Sequence, residues 1–189
     1  MRISGGIAKG RRTATKKLLS RTSKVGRLRP TSSKVREALF DILRDRIDGA
    51  VFVDLYAGTG TVGLEALSRG ARKAVFVDQS SLTIRMIKKI ITELGFQEKA
   101  EVIRDKAYDF INRYSGEEVD IFFIDPPYQS NEIDIVLPFL GKRGLLSKHG
   151  IVIVEHFSKK RLPEKAGNLI KSRGYRYGDT LLTAYRKVE

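Results

Sequence analysis

The chain has 189 residues, 41% of them hydrophobic, which suits one domain with a sizeable core. It has no cysteine, which excludes disulfides and cysteine-ligated metals, and its two histidines, His149 and His156, are too few for a histidine-rich metal site. No apolar run approaches the roughly 20 residues of a membrane-spanning helix, and the amino terminus lacks the apolar stretch of a secretory signal, so a cytoplasmic location is expected.

The net charge of +14 is concentrated at the amino terminus. Residues 1–36 hold 12 Lys/Arg and no acid, whereas residues 37–189 hold 24 Lys/Arg against 22 Asp/Glu. Such an arm is an electrostatic footprint for nucleic acid. A transit peptide or a solvated tail shares this composition, but "RISGGIAKGRR" reads as a hairpin or ordered loop. Next, "RPTSSKVREALFDIL" predicts a helix over about residues 33–46, capped by Ser32 or Ser33, with Val35, Leu39, Ile42 and Leu43 on one face. The division expected is an arm at residues 1–32 and one domain at residues 33–189.

From Val51 onward, apolar strands alternate with helices. "VFVDLY", "AVFVD", "AEVIRD", "VDIFFID" and "GIVIVEH" read as strands. "GTVGLEALSRG", "SSLTIRMIKKIITELG" and "AYDFINRY" read as helices, and "EIDIVLPFLGKRG" as a helix interrupted near Pro138. Uniformly apolar strands separated by helices predict a parallel sheet covered on both faces. The tail, "NLIKSRGYRYGDTLLTAYRKV", reads as an antiparallel pair around Gly178-Asp179 that closes the sheet edge.

The loop "DLYAGTGTVG" follows the first strand. Gly58, Gly60 and Gly63 satisfy the dinucleotide-binding spacing, and Asp78 ends the next strand 20 residues after Gly58. That pattern alone suits NAD. Asp54 shifts the balance, because an acid just before the loop would repel a pyrophosphate and suits a cationic amino-acid group. Asp105, at the third strand's end, can accept from an adenine amine. Three carboxylates on three successive strand tips describe a site for an adenosine with a positively charged tail, and S-adenosylmethionine is the expected cofactor.

"DPPY" closes the fourth strand at the same edge. Two prolines end the strand and stiffen the backbone beyond it. The Asp125 carboxylate and the Pro126 carbonyl can both accept from one exocyclic amine. Holding both N–H groups would align the nitrogen lone pair for in-line attack. Tyr128 offers a flat face for a base. Asp125, Pro126 and Tyr128 are therefore the candidate catalytic residues, with no metal expected.

"DLYAGTG" and "DPPY" resemble two motifs of the Rossmann-like methyltransferases that act on exocyclic amines. "RISGGIAKGRR", "RPTSSKVREALFDIL", "DLYAGTGTVGLEALSRGA", "VEH" and "YGDTLLTAYR" extend the match over nearly the whole chain, which resembles the bacterial RsmD family. The resemblance implies a seven-stranded, mainly parallel α/β sheet of the class I S-adenosylmethionine-dependent type. It implies methylation of guanine N2 in 16S ribosomal RNA, on free RNA or a small-subunit assembly intermediate, by a monomer. Cofactor contacts are expected from Asp54, Tyr56, Gly58, Gly60, Asp78, Gln79, Asp105 and Lys106. Base handling is expected from Asp125, Pro126 and Tyr128, and RNA contacts from Arg11, Arg12, Arg29 and Thr31. The chain departs from the family pattern at Ser33, where Asp is common, at Thr13, where an aliphatic residue is usual, and at Asp78, where Glu is usual. An adenine-N6 or other amine methyltransferase, or a non-catalytic RNA-binding assembly factor, are the alternative readings. A protein-glutamine methyltransferase would favour Asn before the two prolines and need no basic arm.

Overall fold

Alternation along the central strands divides their side chains between two helical layers. The computed structural model describes residues 2–12 and 32–188. Five strands, β1 (Val51–Asp54), β2 (Lys73–Asp78), β3 (Ala100–Arg104), β4 (Val119–Ile124) and β5 (Leu146–Phe157), run parallel. Phe52, Phe76, Ile121, Phe123 and Ile153 point to a layer built by α1 (Ser33–Ile42), α2 (Thr61–Ser68) and α3 (Ser81–Leu94). Val53, Val75, Phe122, Ile124 and Val152 point to the opposite layer, built by α4 (Ala107–Arg113) and α5 (Glu132–Arg143). Strands buried on both faces need apolar side chains at every position, which is why these runs are uniformly apolar.

The carboxyl-terminal hairpin completes the sheet. β8 (Thr180–Lys187) pairs antiparallel with β5, and β7 (Leu169–Tyr177) pairs antiparallel with β8. With the short β6 (Lys165–Ala166) included, the strand order is β3-β2-β1-β4-β5-β8-β7-β6. The chain reverses direction across the sheet between β1 and β4, where ligands bind in open α/β folds. Seven strands match the expectation. The eighth, β6 (Lys165–Ala166), is a two-residue addition on the edge of β7.

Two expectations are corrected. The helix holding Pro138 is not interrupted but runs from Glu132 to Arg143. A proline costs the helix its bond to the carbonyl four residues back, here Asp134 in the first turn. Burial of Val136, Leu137 and Leu140 holds the remainder in register. The helix expected over residues 33–46 ends at Ile42 and tightens into a 3-10 turn, Arg44–Arg46. Its cap is Ser32, whose Oγ accepts from the Val35 N–H at 3.2 Å.

Residues 2–12 form the hairpin that the sequence suggested. Arg2 and Arg12 make an antiparallel bridge, and the Ile3 N–H donates to the Arg11 carbonyl at 3.1 Å. This hairpin is built into the domain. Ile3 and Ala8 are buried in the α1–α3 layer. The Ile7 N–H donates to the Ser68 carbonyl at 2.7 Å. The fully buried Glu65 accepts from the Ser4 N–H at 2.9 Å and from Ser4 Oγ at 2.7 Å, and pairs with Arg69 Nε at 2.9 Å. A boundary at residue 32 thus follows charge rather than packing for these residues.

Glycines bring α2 close to the sheet. Gly60, at φ 72°, turns the chain into α2. Gly63 faces the Phe76 ring so closely that a Cβ would lie 2.3 Å from Phe76 Cε1. Gly63→Ala is therefore expected to destabilise the fold by about 1–3 kcal/mol through overpacking. The midpoint of urea unfolding, with the slope unchanged, is the measurement. A parental midpoint would mean that Phe76 yields freely.

Candidate active site

The site begins at the tip of β1. Asp54 is 1% exposed, and its carboxylate accepts from the backbone N–H groups of Gly63 and Tyr56. Burial, opposed by those two bonds, pushes its pKa up to about 7. Its Oδ1 has no hydrogen-bond partner. An orphaned buried acceptor is costly, and a cationic donor entering here would relieve that cost.

Beside it, Asp78 ends β2. Its Oδ2 accepts from the Gly58 N–H at 3.0 Å and its Oδ1 from the Ser80 N–H at 2.8 Å. The second-strand acid thus fastens the glycine loop while leaving lone pairs for other donors. Burial raises its pKa against these two bonds. The Ala57 N–H donates to the Val77 carbonyl at 2.9 Å, so the loop leaves β1 still in register with β2. Tyr56 Oη donates to Glu132 Oε2 at 2.8 Å, linking this loop to the first turn of α5. Burial, then Glu132, raises the Tyr56 pKa.

Gln79, Asp105 and Lys106 lie at the β2 and β3 ends of the same edge. The Asp105 N–H donates to the Asp78 carbonyl at 3.1 Å, and the Gln79 carbonyl accepts from Arg104 Nε at 3.3 Å. The Asp105 carboxylate accepts from its neighbour's N–H, that of Lys106, at 2.9 Å and pairs with Arg113. An adenine amine here would meet a carboxylate already held by a guanidinium.

At the tip of β4, Pro126 is buried, Asp125 is half-buried and Tyr128 is 42% exposed. Ser130 closes the turn, with its N–H and Oγ both donating to the Pro127 carbonyl, at 2.9 and 2.8 Å. The strand pleat brings Asp78, Asp54 and Glu155 to the face of Phe76, Phe52 and Ile153, and Asp125 continues the parity of Phe123. Four carboxylates therefore lie on one face across β2, β1, β4 and β5, within about 15 Å at the usual strand spacing.

Several neighbours carry no local mark in the sequence. Glu155 and Thr180, on β5 and β8, both reach the Tyr128 hydroxyl. His156 is buried and points to the opposite face. Its Nδ1 donates to the Phe157 carbonyl at 3.0 Å, so the neutral ring's Nε2 accepts from Thr183 Oγ1 at 2.8 Å. Burial lowers its pKa, which favours that neutral form. The signal lay in the "VEH" and "YGDTLLTAYR" blocks, which sit opposite one another in the β5–β8 ladder.

The expected RNA contacts are distributed differently. Arg11 caps α3, its guanidinium donating to the Glu93 carbonyl at 3.0 Å and the Leu94 carbonyl at 3.3 Å. Arg12 is exposed in the bridge with Arg2. Arg29 and Thr31 lie outside the described residues. Among the described residues, no cluster of His, Asp or Glu is arranged to hold a metal, and no helix is long and apolar enough to cross a membrane.

A parallel sheet of this order with a reversed final strand, a glycine loop after β1 and acids on successive strand tips defines a Rossmann-like methyltransferase fold. The solved structure of "Putative methyltransferase yhhF" from Escherichia coli superposes with a TM-score of 0.82 at 29% identity, covering 100% of this chain and 99% of that one. Residues 1–186 match the family described as conserved hypothetical protein 95. The chain is 33% identical to "Putative rRNA methyltransferase YlbH" of Bacillus subtilis over 99% of both. It is also 33% identical to "Ribosomal RNA small subunit methyltransferase D" of Escherichia coli, over 75% of this chain and 70% of that one. The chain belongs to this family, the RsmD family of methyltransferases.

Proposed function

We propose that the protein transfers a methyl group from S-adenosylmethionine to the N2 amine of a guanine in 16S ribosomal RNA, acting as a cytoplasmic monomer. The observation that carries this reading is the Asp125-Pro126-Pro127-Tyr128 elbow, one strand away from the buried, unpartnered Oδ1 of Asp54. The names of the relatives support ribosomal RNA as the substrate class.

The residues present fit the cofactor. Asp54 would receive a cationic α-ammonium, and Asp78 the ribose hydroxyls. Gly58 and Gly60, with Tyr56, would line the amino-acid end, and Gln79, Asp105 and Lys106 the adenine end. When bound, the cofactor supplies a methyl group on a sulfonium, open to in-line attack.

The chain's own residues act on the base. A base must leave its helix or loop to reach this edge. Asp125 and the Pro126 carbonyl hold the two N–H groups of its amine. An aromatic amine is a poor nucleophile because its lone pair is delocalised into the ring. Bonds that strengthen as the nitrogen becomes tetrahedral lower the barrier selectively. Tyr128 stacks on the base and fixes its plane. No general base is required, since the amine can lose its proton after transfer.

Mass spectrometry of 16S ribosomal RNA from cells with and without the protein is the direct test. The expected result is loss of one N2-methylguanine; an unchanged modification map refutes the proposal. Asp78→Ala is expected to weaken cofactor binding by about 10- to 150-fold, the loss of a charge-assisted hydrogen bond. Calorimetry measures this, and parental affinity would remove Asp78 from the ribose role.

The basic segment is expected to supply RNA affinity. Residues 13–31 hold six Lys/Arg and no acid. Each phosphate neutralised on a single strand contributes roughly −0.7 to the slope of log affinity against log salt. Changing those six residues to Gln, with residues 2–12 left intact, is expected to flatten the slope by up to about 4. Cofactor affinity is expected to stay at the parental value. An unchanged slope excludes the segment as the RNA contact.

A further inference from the structure

The exposed ring of Tyr128 is tethered at its far end. Its Oη lies 3.3 Å from Glu155 Oε1 and 3.1 Å from Thr180 Oγ1. Those two groups come from different strands. Glu155 sits near the end of β5 and is 4% exposed. Thr180 opens β8, directly across the ladder from Phe157. The Phe157 ring stands 6.4 Å from the Tyr128 ring, tilted by 36°, and backs it from the β5 side. The turn that delivers Thr180 is itself fixed, since the Ser158 N–H donates to the Asp179 carbonyl at 2.8 Å.

The backbone under Tyr128 explains why such a tether matters. Pro126 and Pro127 have no N–H, so the elbow lacks ladder bonds at those positions. The prolines stiffen the main chain but do not set the tyrosine's side-chain rotamer. An exposed aromatic side chain would sample several rotamers, and a base stacking on it would have to freeze one. The hydroxyl bonds remove that freedom beforehand while leaving the ring exposed.

We infer that Glu155 and Thr180 are positioning residues that hold Tyr128 in one rotamer as a ready stacking surface, so the carboxyl-terminal β8 is part of the base site. The inference rests on reading this edge as an amine methyltransferase site. It assigns the tyrosine hydroxyl a function of its own: retention of the ring face alone does not preserve the site. It also gives a reason for the "VEH" and "YGDT" blocks to accompany "DPPY", because together they form one hydrogen-bonded unit across three strands.

Tyr128→Phe separates the tether from the stacking face, since it removes only the hydroxyl. It is expected to lower kcat/KM for ribosomal RNA about 3- to 10-fold, with cofactor Kd and the unfolding midpoint at parental values. Thr180→Val is expected to cause a smaller loss in the parent and no further loss in the Tyr128→Phe background. Glu155→Gln, which keeps an acceptor for the hydroxyl, is expected to retain more activity than Glu155→Ala. The side-chain rotamer at position 128, read from NMR three-bond couplings in the RNA-free protein, provides a measurement independent of catalysis. A single rotamer in the parent and averaging in Tyr128→Phe is the expected result. Parental kcat/KM in Tyr128→Phe, equal losses from Thr180→Val in both backgrounds, or the same rotamer averaging in parent and variant would each overturn the inference. If the parent methylates no ribosomal RNA, the proposed reaction fails, and the couplings still decide the tether.

Discussion

Asp125→Ala is expected to slow single-turnover methyl transfer by roughly 10²- to 10³-fold, the scale of losing one preorganised polar contact to the reacting group. Asp125 stands at the tip of β4, after Ile124 and before the buried Pro126. In the proposed reaction its carboxylate holds the attacking amine, and the bond strengthens as the nitrogen becomes tetrahedral. An interaction made mainly in the transition state is lost from the chemical step and not from ground-state binding. Cofactor affinity is therefore expected to stay within about twofold of the parent, because Asp54 and Asp78 are untouched. Rapid-quench methylation with saturating cofactor and RNA separates the two quantities. Transfer at the parental rate would reduce the double-proline elbow to a strand stop.

Asp54→Asn is expected to have opposite effects on binding and on stability. Cofactor affinity should fall most of all among single changes on this edge, because the counter-charge for the α-ammonium is gone. The ligand-free protein should become more stable at pH 8. An unfolded aspartate releases its proton near pH 3.8, whereas in the fold Asp54 keeps it to about pH 7. Between those values the folded state binds more protons, so stability falls as pH rises. The full benefit is present below the unfolded value and is lost as pH passes through about 7. The gap corresponds to a penalty on the order of 4 kcal/mol for the ionised side chain. Asparagine carries no charge and can still accept from the backbone. Urea unfolding at pH 5 and pH 8 tests this: the parent should lose stability between them, and Asp54→Asn should lose less. Cofactor affinity of the parent should rise with pH up to about 7, as the carboxylate forms. An Asp54→Asn variant with the parental pH slope would remove Asp54 as its source.

Much of the architecture is written in local pattern. Phe52, Phe76 and Val152 belong to strands buried on both sides, and such strands have a simple signature. Asp54, Asp78 and Asp125 come directly after apolar runs, so an acid at a strand's end is visible without coordinates. What depends on distant partners was not visible. Nothing local marks Ile3 and Ala8 as core residues, because the surfaces that bury them lie some 60 positions away on α2. Arg11 resembles any other exposed cation until the carboxyl end of α3 arrives beside it. Pro138 signals a break locally, but buried neighbours on α5 outweigh it. Glu155 and Thr180 are 25 residues apart and meet at Tyr128 only because β8 inserts beside β5.

The anchoring of residues 2–12 changes how the charge on that hairpin is presented. Ser4 is held by Glu65 of α2, and Arg11 by the carbonyls at the end of α3. The exposed Arg2, Lys9 and Arg12 are therefore carried on a backbone that is already fixed to the domain. An anion that meets them need not order the main chain beneath them, so less of the attraction is spent on lost conformational freedom.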